Sequence, residues 1–290
     1  MKIKRKGIIL AGGTGSRLYP STVSVSKQLL PIYDKPMIYY PLSVLMSAKI
    51  NDIAIIIREE DYKNFYDLLG DGNQLGISLT YIFQPSPDGL AQAYILAEEF
   101  LDGHSSAMIL GDNIFYGYGL TEILVEASDR DNATIFGYRV SDPSAYGVAS
   151  FGSDGNVSAI DEKPINPSSN YAITGLYFLD SSASSRAKTI KPSNRGELEI
   201  TSLLEMFMNE NKLNLEKLGR GFAWLDTGTH ESLLESANFI RSLQLRQGTQ
   251  IACLEEVALN NSWITKDQIK DQAIKFSKTL YGEYLQTFLN

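Results

Sequence analysis

Short apolar runs alternate with amphipathic stretches through the first half of the chain. Apolar runs of four or five residues, most of them rich in β-branched side chains, lie at 7–10, 53–57, 79–83 and 107–110. Such runs are typical of buried strands. Apolar residues recur at helical spacing in four stretches, at 37–50, 61–70, 89–101 and 120–129. With a further strand at 132–140, this alternation predicts an α/β fold built on a mostly parallel, doubly wound, Rossmann-like sheet.

The pattern changes after about residue 142. Alternating apolar and polar residues on either side of Ser153-Asp154-Gly155 predict a β-hairpin, and residues 170–180 form another strand. Helical patterns dominate from Glu197 onward, with a strand-like stretch at 213–219 between them. We therefore divide the chain into three parts, 1–142, 143–248 and 249–290. Because no repeat or low-complexity linker separates these parts, we expect one compact unit ending in C-terminal helices.

Composition narrows the class of protein. The chain has 290 residues, 43% of them hydrophobic, and a net charge of −8, which argues against a nucleic-acid-binding surface. No apolar run approaches the length of a membrane span or a signal-peptide core, so no membrane partner is expected. The lone cysteine, Cys253, excludes an internal disulfide. A soluble protein of the reducing cytoplasm is therefore expected.

The segment "AGGTGSR" at 11–17 is the first candidate site. It follows a predicted buried strand, and its glycines leave backbone N–H groups free to face an anion. It is neither a Walker A loop nor a complete dinucleotide-binding loop, because the third glycine of the latter is missing. Arg17 and Lys27 add two cations, a combination suited to a triphosphate that loses pyrophosphate. An ordinary glycine-rich turn explains the spacing equally well.

Carboxylates provide the second set of candidates. Asp112 follows a predicted buried strand, and Asp226 has apolar residues before it and a glycine two positions later. Both are candidate Mg²⁺ ligands, although an Asp in such a place often caps a turn instead. Glu162 and Lys163 end another strand, where they favour either a sugar-phosphate contact or a surface ion pair.

Several motifs, read in order, resemble one known family. They are "GIILAGGTGSRLYP", "SKQLLP", "QPSPDGLAQA", "LGDNIFYG", "EKP", "NYAITGLYF", "RGELEIT" and "WLDTGT". Between Gly7 and about Gly248 the chain is similar to glucose-1-phosphate thymidylyltransferases, which are sugar-phosphate nucleotidyltransferases. The resemblance implies that dTTP and glucose 1-phosphate give dTDP-glucose and pyrophosphate with Mg²⁺, as the first step of dTDP-rhamnose and related deoxysugar biosynthesis. It also implies a homo-oligomer, usually a tetramer.

The resemblance assigns roles to residues of this chain. Residues 1–142 become a nucleotide-binding core and 143–248 a sugar-phosphate-binding part that shares its sheet. The nucleotide-binding residues implied are Leu10, Gly12, Gly13, Thr14, Gly15, Arg17, Lys27, Gln84, Pro87, Gly89 and Asp112. The sugar-phosphate-binding residues implied are Tyr146, Gly147, Glu162, Lys163, Ile173 and Arg195. The catalytic residues implied are Arg17, Lys27, Asp112, Lys163 and Asp226, with Asp112 and Asp226 holding the metal.

Other interpretations stay open beside this one. Ile173 and Tyr118 stand where the family usually has Val and His, which affects the sugar pocket and a regulatory nucleotide site respectively. The same chemistry with UTP or another hexose 1-phosphate is an alternative, and so is an inactive nucleotide-sugar-binding protein. An NAD-linked oxidoreductase is disfavoured by the missing third glycine.

Overall fold

The apolar runs form strands and the amphipathic stretches form helices, in alternation. The computed structural model describes residues 3–289. The strands are β1 (Arg5–Leu10), β2 (Pro31–Ile32), β3 (Lys35–Pro36), β4 (Asp52–Ile57), β5 (Ser78–Phe83), β6 (Ser105–Leu110), β7 (Asn113–Tyr116), β8 (Ala133–Arg139), β9 (Gly147–Phe151), β10 (Val157–Glu162), β11 (Tyr171–Leu179), β12 (Leu213–Leu218) and β13 (Ala223–Asp226). The helices are α1 (Tyr39–Ser47), α2 (Tyr62–Leu69), α3 (Gln92–Leu96), α4 (Glu98–Leu101), α5 (Leu120–Asp129), α6 (Ala183–Ala187), α7 (Ile200–Asn209), α8 (His230–Gln247), α9 (Leu254–Asn260), α10 (Lys266–Lys275) and α11 (Leu280–Gln286).

Nine strands form the central sheet. β1 lies between β4 and β6, β5 extends the sheet beyond β4, and these four strands are parallel. β11 runs antiparallel to β6, β8 and β9, while β12 pairs in parallel with β8. The β9–β10 hairpin predicted around residue 154 forms the far edge. The predicted α/β class with a mostly parallel central sheet is confirmed.

Both faces of the sheet are buried, as the continuous apolar strands require. Ile8 and Ile9 of β1 are fully buried in two different apolar clusters. One cluster takes in side chains of α1 and of the C-terminal helices α9, α10 and α11. The other takes in side chains of α3, α6 and α7. Each fully buried aliphatic side chain contributes about 1.5–3 kcal/mol to this packing.

The structure corrects the predicted helix at 89–101. Gly89 has a φ of +112°, and the backbone of the next residues bonds to another loop instead of beginning a helix. The N–H of Leu198 donates to Asp88 O at 2.7 Å, and the N–H of Ala91 donates to Leu198 O at 3.0 Å. The helix therefore begins only at Gln92, and it is interrupted at Ala97 between α3 and α4.

The sequence patterns also missed several short elements. The strands β2, β3 and β7 and the helix α6 are each five residues or shorter, so hydrophobic periodicity could not identify them. In the C-terminal tail, the helical pattern is divided into α10 and α11 because the Thr279 side chain caps a new helix at Gly282 N.

Within residues 3–289, no helix is both long enough and apolar enough to cross a bilayer.

Candidate active site

A cavity of about 550 Å³ opens at the carboxyl ends of the parallel strands β1 and β6. This is the edge at which parallel α/β sheets bind ligands. Every site residue that the sequence predicted lines the cavity, except Gly12. Gly12 is buried, and a side chain there would collide with Gln84, since a Cβ would lie 2.0 Å from Gln84 Oε1.

The glycine loop forms one wall of the cavity. Gly15 is in the left-handed conformation, with a φ of +63°, and leads into a 3-10 turn at Ser16–Leu18. The Thr22 hydroxyl donates to Gly15 O at 2.7 Å and holds this corner in place. Gly13 has no neighbour within 4 Å of where a Cβ would be, so the loop backbone is open to a ligand.

Lys27 and Asp112 form an ion pair at the centre of the cavity. Lys27 Nζ lies 2.5 Å from Asp112 Oδ2, and Lys27 is only 6% exposed. Burial alone would raise the pKa of Asp112, but the charge and hydrogen bond of Lys27 outweigh it and lower this pKa. Asp112 is therefore ionised, and Lys27 supplies its counter-charge.

Asp226 comes to the same place through a small ladder. β13 pairs antiparallel with β7, and the register sets Asp226 opposite Asn113, next to Asp112. The Thr227 hydroxyl donates to Asp112 O at 2.8 Å and fixes this junction. Burial and the charge of Asp112 raise the pKa of Asp226. Two carboxylates thus face one space, where their mutual repulsion favours a cation.

Asn113 links the two halves of this ladder. Its Oδ1 accepts from Trp224 Nε1 at 2.6 Å and from Gly175 N at 3.1 Å, and its Nδ2 donates to Asp112 Oδ1 at 2.9 Å. Trp224 in turn packs edge-to-face on Tyr146, with the ring centres 5.1 Å apart. The Asp112 carboxylate is therefore held from both sides.

The opposite wall of the cavity combines acids with one arginine. Arg195 Nη2 lies 2.9 Å from Glu199 and 3.2 Å from Glu162 Oε1, and the Thr201 hydroxyl donates to Glu162 Oε2 at 3.1 Å. Burial and the charge of Glu199 raise the pKa of Glu162. Lys163 has a φ of +43° and its Nζ lies 3.9 Å from Glu162 Oε1. This wall offers carboxylate acceptors for hydroxyls together with cations.

Sequence reasoning missed some of the cavity residues. Six of those with polar or aromatic side chains are Gln28, Asn113, Tyr177, Glu199, Thr201 and Trp224. All six lie inside quoted motifs, in "SKQLLP", "LGDNIFYG", "NYAITGLYF", "RGELEIT" and "WLDTGT", so the motifs pointed to their neighbourhood but not to their side chains. Tyr177 lies on β11, where its position looks like that of any buried strand residue, so the motif gave no reason to single out its side chain.

Known proteins resemble this chain over nearly its whole length. A family model described as nucleotidyl transferase matches residues 6–242. The glucose-1-phosphate thymidylyltransferase of Xanthomonas campestris pv. campestris is 57% identical over 97% of this chain and 96% of its own. The enzyme of the same name from Neisseria gonorrhoeae is 56% identical over 97% and 98%.

Solved structures of nucleotidyltransferases have a similar fold. A Bacillus anthracis protein provisionally given the same name superposes with a TM-score of 0.75 at 40% identity, over 82% of this chain and 95% of its own. A UDP-glucose pyrophosphorylase complexed with UDP-glucose has a TM-score of 0.73, over 83% of this chain and all of its own, but is 23% identical and supports the fold alone. On its sequence relatives and on its fold, the chain belongs to the glucose-1-phosphate thymidylyltransferases, within the nucleotidyl transferase family.

Proposed function

We propose that this protein converts dTTP and glucose 1-phosphate to dTDP-glucose and pyrophosphate, using Mg²⁺. The observation that carries the proposal is the composition of a single cavity. One wall is an open glycine loop, the centre holds Lys27 and two carboxylates, and the other wall holds Glu162 and Arg195. A triphosphate and a sugar phosphate could therefore meet between them.

The chemistry requires positioning and charge neutralisation. An oxygen of the sugar phosphate attacks the α-phosphorus of the nucleotide, a new P–O bond forms, and the bond to pyrophosphate breaks. No protein nucleophile takes part, so the protein contributes alignment of the two reactants and cations near the reacting phosphates.

On the nucleotide side, the backbone of Gly13, Thr14 and Gly15 would contact the triphosphate. Arg17 would neutralise the leaving pyrophosphate, and Lys27 would move from Asp112 to the reacting phosphates. Gln84 lies with Pro87 and Gly89 in the same wall, where the base would be read. Leu10 and Gly12 support this wall from the end of β1.

On the sugar side, Glu162 would accept hydrogen bonds from hydroxyl groups. Arg195 and Lys163 would neutralise the sugar phosphate, which requires Arg195 to turn away from part of its acidic surroundings. Tyr146, Gly147 and Ile173 would shape the pocket around the ring. Glu199 belongs with this group, because its contact with Arg195 sets where that guanidinium lies.

The donor set fits Mg²⁺, which prefers oxygen ligands and shares them with substrate phosphates. Within residues 3–289, no cluster of three or more His, Cys, Asp or Glu side chains could hold a metal. Asp112 and Asp226 would therefore hold the ion together with phosphate oxygens. When bound, the ion supplies positive charge close to the reacting phosphates.

A second candidate keeps the reaction and changes a substrate. UTP differs from dTTP in its base by one methyl group and in its sugar by one hydroxyl, and an epimeric hexose 1-phosphate differs from glucose 1-phosphate only in the orientation of one hydroxyl, which Glu162 would contact. An inactive binding protein is less well supported, since Arg17, Lys27, Asp112 and Asp226 all face the cavity.

The family resemblance extends the proposal beyond the active site. It supports a homotetramer that supplies dTDP-glucose for deoxysugars such as dTDP-rhamnose. The single cysteine, Cys253, is buried and unpaired, in keeping with a reducing cytoplasm.

The experiment that tests the proposal is pyrophosphate release from purified protein with glucose 1-phosphate and Mg²⁺. Reactions with dTTP and UTP run in parallel, each with an EDTA control and a control to which excess Mg²⁺ is restored. Release that is fastest with dTTP, lost with EDTA and recovered with Mg²⁺ supports the proposal. Equal rates with UTP would refute the thymidine preference, and no release with any nucleotide would refute the reaction.

A further inference from the structure

A chain of hydrogen bonds begins behind the base-reading wall of the cavity, at Gln92 on α3. Gln92 is 7% exposed and Gln84 is also 7% exposed. The Gln84 side-chain amide donates from Nε2 to Gln92 Oε1 at 2.7 Å. Gln92 Nε2 donates to Asp88 Oδ2 at 2.8 Å, and the backbone N–H of Asp88 donates to Gln92 Oε1 at 3.2 Å.

These partners leave the Gln92 amide only one orientation. A backbone N–H can only donate, and an ionised carboxylate can only accept. Gln92 must therefore turn its oxygen toward Asp88 N and its NH₂ toward the Asp88 carboxylate. If the Gln92 amide were rotated by 180°, its NH₂ would face the Asp88 N–H, donor against donor. Its oxygen would face the Asp88 carboxylate, acceptor against acceptor.

The orientation is passed on to Gln84. Because Gln92 presents an oxygen, Gln84 must present its NH₂, and its Oε1 then lies on the opposite side. That oxygen lies over the bare α-carbon of Gly12, at the start of the glycine loop. Within residues 3–289 it accepts no hydrogen bond, so it is an acceptor without a partner at the cavity wall.

We propose that Gln92 and Asp88 are positioning residues that set base specificity by fixing Gln84 with its carbonyl oxygen toward the base. This inference rests on the proposed function. A fixed acceptor favours a base that carries a hydrogen on N3, as thymine and uracil do. Cytosine has an unprotonated N3, which would place acceptor against acceptor. Sites built to pair one polar group discriminate strongly against an analogue that cannot make the pair. We call this chain of hydrogen bonds from Asp88 through Gln92 to Gln84 the relay. The relay discriminates against cytosine and does not distinguish thymine from uracil.

The test is a competition between dTTP and dCTP in one reaction with glucose 1-phosphate and Mg²⁺. The ratio of the two nucleotide-sugar products gives the ratio of kcat/KM values directly. In Gln92→Leu, the Gln84 amide is free to rotate and can donate its NH₂ to N3 of cytosine. The preference for dTTP is expected to fall by about tenfold or more.

Two matched variants separate orientation from packing. Gln92→Glu combined with Asp88→Asn keeps an acceptor oxygen toward both Gln84 and the backbone N–H of position 88, and the new side-chain amide at position 88 can donate to the other oxygen, so the preference should stay within about threefold of the wild type. Gln244→Leu makes the same change at a buried glutamine remote from the cavity. Gln244 also accepts a backbone N–H, that of Ile251, and donates to an aspartate, Asp34. The preference of the Gln244→Leu variant for dTTP over dCTP should equal that of the wild type.

A folding defect in Gln92→Leu would not leave the question open. Asp88 is exposed, and Asp88→Ala removes the carboxylate that fixes the Gln92 NH₂ while the backbone N–H remains. A smaller fall in the preference is expected from this variant. Preferences unchanged in both Gln92→Leu and Asp88→Ala, or in the folded variant alone, would overturn the relay.

The outcomes also distinguish the two proposals. Wild-type protein that makes no product from dTTP refutes the proposed function before any variant is compared. Wild-type protein that prefers dTTP, together with variants that slow both nucleotides equally, refutes the relay alone and leaves Gln92 a structural role.

Discussion

At the scale of single residues, the site is organised around charges that offset one another. Lys27 is buried and bonded to Asp112, and burial together with the charge of Asp112 raises the pKa of Asp226. A buried charge is costly unless it has a partner, so neither Lys27 nor Asp112 can be changed without leaving the other uncompensated.

Asp112→Asn tests this centre. Removing a carboxylate that would hold Mg²⁺ beside the reacting phosphates should lower kcat by about 10²- to 10³-fold, as measured by pyrophosphate release with saturating substrates. Asp61→Asn is the matched control, because Asp61 is 4% exposed and pairs with Arg58 at 2.8 Å outside the cavity. The control should unfold at a lower urea concentration yet keep its kcat. Unchanged turnover in Asp112→Asn would remove this carboxylate from the mechanism.

At the scale of elements, two loops from distant parts of the chain are joined through Leu198. Its backbone N–H and C=O bond to Asp88 and Ala91, on either side of the cavity-lining residues Gly89 and Leu90, whereas Leu198 itself lies between Arg195 and Thr201, which line the opposite wall. We therefore expect a displacement of the loop around Gly89 to shift the loop around Leu198 as well. The bonds are also the reason why the predicted helix at 89–101 begins three residues late.

Gly89→Ala tests the junction. A Cβ at position 89 would lie 2.4 Å from both N and O of Leu198, and φ there is +112°. We expect kcat/KM to fall about 10²-fold, because small misplacements of aligned groups are costly, with KM raised for both substrates. Steady-state kinetics with each substrate varied in turn measures this.

The matched control for that variant is Gly103→Ala. Gly103 also has a positive φ, of +70°, but nothing lies within 4 Å of its Cβ position. It should show the stability cost of the backbone strain with no change in either KM. If KM rises for only one substrate in Gly89→Ala, the two loops are not coupled.

At the scale of the whole molecule, the C-terminal helices belong to the main core. Leu254, Ile269 and Leu285 are buried in the same apolar cluster as Ile9 of β1 and Leu45 of α1. Trp263 closes this contact, since a Cβ at Gly76 would lie 2.5 Å from Trp263 O. We therefore expect residues 249–290 to unfold together with the rest of the chain.

The two tryptophans allow this to be measured. Trp224 donates to Asn113 in the cavity wall, and Trp263 lies in the C-terminal part, so Trp263→Phe and Trp224→Phe each leave one reporter. In each variant, the urea transition followed by fluorescence should coincide with that followed by far-UV circular dichroism. In Trp224→Phe, a fluorescence midpoint below the circular dichroism midpoint would show that the C-terminal helices detach first.

The sequence by itself determined the α/β class, the positions of the long elements and the glycine loop. These depend on hydrophobic periodicity and on glycine spacing, which are local properties of the chain. The motifs also led to nearly all of the residues that line the cavity.

Only the tertiary structure decided how those residues are combined. The β7–β13 ladder sets Asp226 beside Asp112, Glu199 holds Arg195, and Gln92 orients Gln84. The first joins segments far apart in the chain, and the second joins residues only four positions apart, in a loop whose folded shape brings them together. The third depends on the direction in which a side-chain amide faces, which residue order does not encode. Such contacts exist only after the chain has folded, because burial and strand register choose each partner.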